Sequence, residues 1–598
     1  MRFSTRSKVG LLLSIVTILA IVGAFLFTVE LHPSSSIHAS SAGSVSTYQG
    51  HAATIKLAHA FNPGSLHATA PVVANGHIPT TRALIARRNH VSAKAQTATR
   101  SGLAAAPDTG IDPAGAKSHY EQPPGQVLHN FHGLNNLDSA LANGFLLEPP
   151  DQGLCVGTFL GQKSEIEIIN DVAAAYTTSG KLIAGPVNLN NFFSEPAAEF
   201  MTDPRCYFDP TTNVFFFTAL AIDNTATISN HVDVAVMFPN GNGHIFRVDV
   251  TFANDTAGQC PCLGDQPKIG IDPFNFYVSV DQFGANETLE TGAALIAISK
   301  SQLISGASTV HVAVFNNLSL AGIGITDLHP ALTSGNPGEE FLLNSFEYAD
   351  AAQTQPISLT HTLGLWALSS PWKVSAGGVP MLSAKTITSE TYGFPVPALT
   401  TNGKSLATFT NDSRMQQVQY INGHLLGALD SAVSVGNDPV TRDGAAWFEL
   451  TPQVNHSGKI EGAHFINQGY VAAKGLYLLY PAIEEDKLGV TAMSFSITNP
   501  RLNPTTGDTV MARGKKSFGP LHFTQVGPAP DKGFTCSLTG ANLVQQCRWG
   551  DYSWTALDPN GVDFWMAAET TVPQSQAAIA TSGVETNWGT QVWDVNGD

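Results

Sequence analysis

Charged residues are scarce in this chain of 598 residues. Lys, Arg, Asp and Glu together make up only 13% of the sequence, whereas Gly and Pro number 54 and 35. A chain with few charges and many turn formers does not favour long, solvent-exposed helices. This composition favours an all-β fold. The length allows several domains or one large closed ring of repeats.

Basic charge is missing from most of the chain. Residues 1–120 hold 10 Lys and Arg against 3 Asp and Glu, and the remaining residues hold 20 against 44. The formal net charge of -17 therefore comes from the part of the chain after residue 120. Because phosphate binding requires a basic surface, this distribution argues against a nucleic-acid partner.

Charge is also absent from one long run near the N-terminus, from Val9 to Val29, which follows a basic flank. A helix of this length spans roughly 30 Å, the thickness of a bilayer core, with its basic flank in the cytoplasm. We therefore expect residues 1–30 to be a signal peptide or an uncleaved signal anchor, with small-residue cleavage sites at 37–39 and 40–42. The chain is then exported, and either secreted or held at the cell surface by this helix.

Known catalytic signatures are absent as well. The sequence contains no Gly-x-Ser-x-Gly, His-Glu-x-x-His, phosphate-loop or EF-hand motif, and neither the Arg-Ile-Pro motif nor the Ser-x-Asp-x-Gly-x-Thr-Trp box of sialidases. A glycosidase needs two carboxylates across a cleft. The densest acidic patch, Glu484, Glu485 and Asp486, is better interpreted as a solvated loop. The sequence therefore indicates much about the fold and little about activity.

Residues 31–122 are rich in Ala, Ser, Thr, His and Gly and show no sustained hydrophobic period. This composition is typical of a disordered linker or stalk. We expect the folded domain to occupy residues 123–598.

A recurring unit organises the folded domain. It combines a Gly or Pro turn containing an Asp, a short apolar strand, an Asp-Pro turn and a second apolar strand. Copies of the unit begin at Met201, Leu263 and Trp549, and a truncated copy begins at Pro149. With less regular starts near Asp327, Phe394 and Gly469, the spacing of about 50 to 80 residues matches a four-stranded propeller blade with its loops.

This spacing predicts a β-propeller of seven four-stranded blades, with six or eight as alternatives. Only three strands follow Trp549, so a segment before Pro149 should supply the fourth strand of the last blade and leave no open sheet edge. A tandem of β-sandwiches would have similar strand lengths, but it does not require the Asp-containing turn and the Asp-Pro turn to recur once per unit.

The chain resembles a group of exported bacterial β-propeller proteins, most without an assigned activity and sialidase-like by fold only. The matching segments are 149–151, 179–187, 202–209, 263–267 and 548–553. The resemblance covers about residues 145–598 and implies a ring of blades whose first strands line a central channel. It implies no particular function, because propellers host unrelated activities.

Six cysteines in an exported chain predict a disulfide framework. The expected pairs are Cys155 with Cys206, at equivalent places in two blades; Cys536 with Cys547, around a short loop; and Cys260 with Cys262. For the Cys-x-Cys pair, a reactive dithiol or a metal ligand is the alternative.

Four aspartates, Asp151, Asp203, Asp265 and Asp551, occupy equivalent positions in their repeats. A ring would bring them together near one mouth of the channel. Such carboxylates can bind Ca²⁺, with Asp203, Asp265 and Asp551 as the candidate ligands, can titrate at raised pH, or can cap turns through backbone N–H groups. No other cofactor is predicted.

The sequence therefore favours a binding or scaffolding module outside the cytoplasm, whose partner is an extracellular protein or polysaccharide. The alternative is an extracellular carbohydrate-active enzyme, a glycoside hydrolase or lyase, that uses the carboxylates at the channel mouth.

Overall fold

The structure is a computed structural model that describes residues 44–62, 66, 77–78, 83–85, 127–223, 229–252, 260–284, 290–346, 359–401, 407–537, 546–580 and 583–597. The chain divides into two units, Met1–Ser44 and Val45–Asp598, and the elements below belong to the second. The expected helix over residues 1–30 lies outside the described residues. Within them, no helix is long and apolar enough to cross a membrane.

Short elements precede the main sheets. The first strands are β1 (Ser46–Tyr48), β2 (His51–Phe61), β3 (His77–Ile78), β4 (Ala83–Ile85) and β5 (Val127–Asn135). Helix α1 (Asn136–Asn143) follows, and then β6 (Leu146–Glu148). The Asn135 side chain caps α1 and Asp138 completes the capping box, so the helix begins directly at the end of β5.

Antiparallel sheets follow in chain order. Sheet I contains β7 (Gln152–Phe159), β8 (Gln162–Ile169), β9 (Val172–Thr177) and β10 (Leu182–Asn188), followed by α2 (Leu189–Phe193). Sheet II contains β11 (Phe200–Asp209), β12 (Val214–Ile222), β13 (Asn230–Met237) and β14 (Gly243–Asp249). Sheet III contains β15 (Leu263–Ile271), β16 (Asn275–Phe283), β17 (Glu290–Ser299) and, after α3 (Lys300–Ile304), β18 (Thr309–Leu320), with β19 (Ile323–Gly324) at its edge.

The next two sheets differ in their inner strands. Sheet IV contains β20 (His329–Pro330), β22 (Glu339–Asn344), β23 (Leu359–Ser369) and, after the 3-10 helix η1 (Pro371–Ala376), β24 (Met381–Gly393). The short strand β21 (Leu332–Thr333) instead pairs in parallel with β15 and with the later strand Met415–Ile421. A small pair, β25 (Ala398–Leu399) and β26 (Ala407–Thr408), comes next. Sheet V contains β27 (Met415–Ile421), β28 (His424–Val433), β29 (Arg442–Val454) and β30 (Ile460–Val471). The short inner strand of sheet IV agrees with the weak repeat near Asp327.

Two further sheets complete the unit. Sheet VI contains β31 (Tyr477–Glu485), β32 (Thr491–Asn499), β33 (Leu502–Met511) and β34 (His522–Gln525). The connection holds η2 (Phe534–Ser537) and β35 (Gln546–Cys547), which pairs with β26. Sheet VII contains β36 (Trp554–Leu557), β37 (Asp563–Thr571) and the last strand, β40 (Trp588–Asn596). Between β37 and β40 lie η3 (Gln574–Gln576) and the short strands β38 (Ala578–Ala580) and β39 (Glu585–Thr586), which pair with each other. The all-β prediction is confirmed.

Local sequence explains the strands. All nine residues of β12 are buried, which fits a continuous apolar run covered on both faces. The turn between β27 and β28 is Asn422-Gly423, with φ of 53° and 91°, as a tight hairpin requires. Neighbouring sheets pack through such strands: the rings of Phe216 in β12 and Phe276 in β16 stack at 5.0 Å.

The inner strands of the sheets contact one another in a closed cycle. From β7 it passes through β11, β15, the pair β20 and β21, β27, β31 and β36, and then returns to β7. The cycle is also closed by strand pairing, because β5 pairs with β40 and supplies the outer strand of sheet VII. The strand expected before Pro149 is therefore present, and the first strands surround a common axis, as in a propeller.

The described part of the expected linker, residues 31–122, is not disordered throughout. Residues His51 to Lys56 of β2 pair with β18, and Leu57 to Phe61 pair with β14, so β2 joins the outer edges of sheets III and II. β1 likewise pairs with β24 of sheet IV. The prediction was wrong here because unpaired edge strands need partners, and an alanine-rich segment with Ile55, Leu57 and Phe61 supplies one.

The predicted disulfide framework is present. Its bonds join Cys155 to Cys206, Cys260 to Cys262 and Cys536 to Cys547, and no cysteine is free. The first bond links β7 to β11, the inner strands of neighbouring sheets.

Candidate functional site

The inner strands begin with a distorted segment at the same end of the central axis. β11, β15, β27 and β31 each carry a register shift near their start. Residues with left-handed backbone angles lie near the starts of the inner strands: Asp203, Gln266 and Tyr480 inside β11, β15 and β31, Asp327 before β20 and Asn411 before β27, with φ of 50°, 46°, 56°, 60° and 51°. Non-glycine residues with such angles are strained and cluster at sites that the surrounding structure holds firmly.

The structure brings the four predicted aspartates together at this end. The backbone N–H of Asp551 donates to Asp151 Oδ1 at 2.5 Å, and that of Gln266 donates to Asp203 Oδ2 at 3.2 Å. The Gln266 amide also donates to Asp551 Oδ2 at 3.1 Å, and the Asp265 carboxyl group lies beside that of Asp203. Carboxylates from different sheets therefore form one network across the axis.

Each aspartate in this network is buried, and none is more than 3% exposed. Burial, with the nearby carboxylates of Asp551 and Asp203, raises the pKa of Asp151 well above its usual range. The pKa of Asp203 is raised by burial and by Asp551. Loss of hydration disfavours the ionised form of each group, and the neighbouring negative charges add to that effect.

Buried cations lie among these carboxylates. Arg548 Nη2 contacts both carboxylate oxygens of Asp551, at 3.1 and 3.2 Å. The Arg205 guanidinium stacks 3.2 Å from the centre of the Tyr552 ring, and its Nε donates to the Pro267 carbonyl. These side chains supply positive charge and hydrogen-bond donors in a region from which water is excluded.

A second group of charges continues the network toward sheet V. Lys268 Nζ lies 2.8 Å from Asp281 Oδ2, and Arg414 Nη1 lies 3.1 Å from the same atom. Arg414 also pairs with Asp412 at 2.6 Å. The Arg414 guanidinium donates to the Gln266 side-chain oxygen, which connects the two groups.

The turn-cap interpretation of the aspartates needs one correction. The backbone N–H groups that donate to Asp151 and Asp203 belong to other sheets and not to their own turns, and the Asn170 amide and the Thr202 hydroxyl donate as well. Each carboxylate therefore joins two sheets. Calcium at Asp203, Asp265 and Asp551 stays a prediction; the groups of ligand atoms within 4.8 Å of one another in the described residues do not include these three.

A cavity of ≈ 110 Å³ lies where the inner strands end. Its wall includes Tyr207, Gln419, Glu484, Trp554 and Asp558. This volume is below the range of roughly 300 to 1,000 Å³ that is usual for small-molecule sites.

Glu484 is the unusual polar group in the wall of this cavity. Its side chain is buried, Gln417 Nε2 donates to Oε1 at 3.0 Å, and Oε2 has no hydrogen-bond partner among the described residues. Burial raises the pKa of Glu484 to about 8, although the Leu557 backbone N–H and the Gln417 amide lower it. Glu484 therefore carries a proton at neutral pH.

The interpretation of residues 484–486 as a solvated loop was wrong. Glu484 and Glu485 end strand β31 and are buried, as is Asp486. Glu485 accepts from Asn422 at 2.8 Å and contacts His424 Nε2 at 3.0 Å. Charged residues remain buried here because neighbouring sheets supply their partners.

Sequence reasoning missed the cations of the network. Arg205 and Arg548 do stand inside the repeated segments, two residues after Asp203 and three before Asp551. A basic residue beside an equivalent acidic position was therefore a usable signal. Lys268 likewise stands three residues after Asp265, and its partner Asp281 lies on the neighbouring strand β16. Arg414 and Glu484 gave no such signal, because Asp281 and Gln417, with which they interact, belong to other sheets.

Comparisons with solved structures find all-β enzymes at low similarity. A Trypanosoma rangeli sialidase in complex with sialic acid is 10% identical with a TM-score of 0.32, covering 70% of this chain and 57% of its own. A Penicillium chrysogenum α-L-arabinanase complexed with arabinobiose is 8% identical with a TM-score of 0.32, and the match covers 78% of this chain and 98% of the arabinanase. A Fusarium graminearum GH93 α-L-arabinofuranosidase is 11% identical with a TM-score of 0.31, and the match covers 67% of this chain and 95% of the arabinofuranosidase.

This chain thus spans little more than half the length of that sialidase. No protein-family model and no curated protein matches the chain.

Proposed function

We propose that the chain is a binding or scaffolding module outside the cytoplasm, built as a propeller of seven four-stranded blades. One observation carries this proposal: the four converging aspartates are buried, and backbone N–H groups and a guanidinium donate to the oxygens of three of them, Asp151, Asp203 and Asp551. A glycosidase instead presents two carboxylates to a sugar in a cleft. Sealed carboxylates stiffen the ring, and the loops at its faces are left to recognise a partner.

The blade count is supported by the closed cycle of inner strands and by the pairing of β5 with β40. Closure of this kind removes open sheet edges, so the ring can present loops on a rigid frame.

Export to the cell surface is part of the proposal. Its support is the basic flank and uncharged run at the N-terminus, together with the disulfides, which persist in oxidising compartments. The partner is an extracellular protein or polysaccharide, and membrane contact requires the N-terminal helix to be uncleaved. Fractionation of producing cells and mass determination of the N-terminus test this part; a cytoplasmic chain with reduced cysteines would contradict it.

The binding proposal is tested with the full chain on immobilised extracellular polysaccharides and proteins. Sugar release from the same polysaccharides is measured in parallel. We expect binding without release, and equal binding by Asp265→Asn, Asp551→Asn and the control Asp563→Asn, a half-buried position at the start of β37, for those variants that fold. Sugar release that disappears in Asp265→Asn or Asp551→Asn but persists in the control would overturn the proposal.

A carbohydrate-active enzyme is the second candidate, and Glu484 is the observation that favours it. A carboxyl group that is protonated near neutral pH and lines a cavity has the property required of a general acid. This candidate predicts sugar release that Glu484→Gln abolishes and that Glu340→Gln, a change at a buried glutamate of sheet IV, leaves intact. The absence of release from a broad panel would reject it.

A further inference from the structure

A separate polar cluster lies where the chain passes from sheet I into sheet II. Glu195 follows α2, and Glu199 immediately precedes β11. His231 and Asp233 are two residues apart on β13 and so share one face of the sheet. Arg247 on β14 is the cross-strand partner of Asp233. The connection and the sheet face therefore contribute side chains to the same place.

The ligand atoms in this cluster are closely spaced. His231 Nε2 lies 3.4 Å from Glu195 Oε1 and 3.5 Å from Asp233 Oδ1. One ligand atom from each of these three residues lies within 4.8 Å of the others. Atoms that bind a tetrahedral Zn²⁺ at about 2.05 Å are themselves about 3.4 Å apart. The separation between His231 Nε2 and Asp233 Oδ1 matches that spacing.

Buried oxygens here have no hydrogen bonds. Asp233 is 0% exposed, and neither of its carboxylate oxygens has a hydrogen-bond partner among the described residues. Glu195 Oε2 and Glu199 Oε2 likewise have none. A buried carboxylate without hydrogen bonds is costly, so an unpaired set of this kind points to a bound cation.

The charge balance agrees with this. Three carboxylates face one guanidinium, which leaves two negative charges uncompensated when His231 is neutral. A divalent cation would neutralise them. Arg247 Nε donates to Glu195 Oε1 at 2.6 Å, which orients that carboxylate and leaves its Oε2 for a ligand. Such outer hydrogen bonds commonly fix the groups that bind a metal.

We propose that His231, Asp233 and Glu195 bind a divalent transition-metal ion of the Zn²⁺ class, with Glu199 beside the open side. A nitrogen ligand with carboxylates suits zinc better than calcium, which takes oxygen ligands only. His231 is 18% exposed at its side chain, so the ion has a path from solvent. The site lies outside the inner-strand network and does not depend on the proposed binding function.

A second histidine cluster provides the matched control. His424, Glu449 and Glu485 also lie within 4.8 Å of one another. There, however, Asn422, His424 and Thr491 already hydrogen-bond with the Glu485 carboxylate. A cluster whose oxygens are satisfied has less need of a cation.

The experiment measures Zn²⁺ and Ca²⁺ binding to the full chain, after chelation and dialysis, by titration calorimetry and elemental analysis. We expect one tightly held Zn²⁺ per chain, affinity at least tenfold weaker in His231→Asn and Asp233→Asn, and wild-type affinity in His424→Asn. Circular dichroism establishes which variants fold. Glu199→Gln, at a partly exposed position, gives a milder second variant with a smaller loss of affinity.

A Co²⁺ derivative gives an independent measurement, since tetrahedral Co²⁺ with nitrogen and oxygen ligands has strong visible absorption. We expect this absorption in the wild type and in His424→Asn, and its loss in Asp233→Asn. The proposal is overturned by the absence of Zn²⁺ binding, by Ca²⁺ binding in place of Zn²⁺, or by equal Zn²⁺ affinity in the wild type and the folded His231 and Asp233 variants.

Discussion

Single buried charges in the inner-strand network depend on partners from other parts of the chain. Asp551 is held by Arg548 at 3.1 Å and by the Gln266 amide at the same distance. Removing one member of such a pair leaves the other charge buried without compensation, which costs more than removing both.

We therefore expect Arg548→Met to lower the free energy of unfolding by about 3 to 5 kcal/mol. Adding Asp551→Asn to this variant should restore part of the loss, because the uncompensated carboxylate is then gone. Thermal and denaturant unfolding of both single variants and the double variant measure the coupling. The exposed Arg513→Met is the control, and equal effects of Arg513→Met and Arg548→Met would contradict the prediction.

Glu484 should make stability depend on pH in a defined direction. Its folded-state pKa of about 8 lies above the unfolded value, so the folded chain holds a proton that the unfolded chain releases. The contribution of Glu484 to the free energy of unfolding is fully present below about pH 4.5. It falls as the pH rises toward 8, by up to about 1.4 kcal/mol per pH unit.

Glu484→Gln keeps the shape of the protonated side chain but cannot ionise. Its unfolding temperature should equal that of the wild type near pH 5 and exceed it near pH 9. Differential scanning calorimetry across this range measures the difference. The exposed Glu461→Gln should show no such trend, and a constant difference between Glu484→Gln and the wild type would reject the assignment.

Secondary-structure elements are tied together by bonds that close loops of different lengths. The Cys155–Cys206 disulfide joins β7 to β11 across 51 residues, whereas Cys536–Cys547 spans 11. The loop-entropy estimate gives about 4 kcal/mol for the first and about 3 kcal/mol for the second.

The double change Cys155→Ser with Cys206→Ser should therefore lower the unfolding midpoint more than Cys536→Ser with Cys547→Ser. Chemical denaturation of the two double variants, with mass spectrometry of the unreduced peptides, compares them. A larger loss from the shorter loop would contradict this ranking.

Much at the level of elements could be predicted from the sequence. The Asp positions repeat from one segment to the next, and Asn-Gly turns mark hairpins between apolar runs. These two patterns reveal the strand order and the convergence of Asp151, Asp203, Asp265 and Asp551. The role of Glu484 could not be predicted, because burial of a charge depends on which sheet lies opposite. β2 was missed for a related reason: most of its apolar residues are alanines, and the edges of β14 and β18 select a strand there.

The ring in the described unit depends on closure between β5 and the last strand, β40. β5 pairs with β40, the Leu134 N–H donates to Glu167 at 2.7 Å, and Gly133 lies against the same carboxylate. A Cβ at position 133 would approach Glu167 Oε2 to 2.3 Å and Thr590 Oγ1 to 2.5 Å, so a larger residue must displace these two buried side chains or β5 itself.

Gly133→Val should therefore loosen the join and broaden the unfolding transition, whereas His132→Ala, at the exposed neighbouring position, should have little effect. Calorimetry and limited proteolysis near residue 127 report on the two variants. A sharp transition at the wild-type temperature in Gly133→Val would show that closure does not limit cooperativity.

The double pairing of β2 also determines how this protein would carry mechanical load. A pull on the chain before Ser46 reaches β1 and β2, whose backbone bonds are made to the edges of three sheets. Because β2 lies antiparallel to both β14 and β18, tension along its axis loads many hydrogen bonds in shear at once instead of opening them singly. A module tethered from its N-terminal side would therefore resist extension at this strand, and force would spread into two sheets before the ring opened.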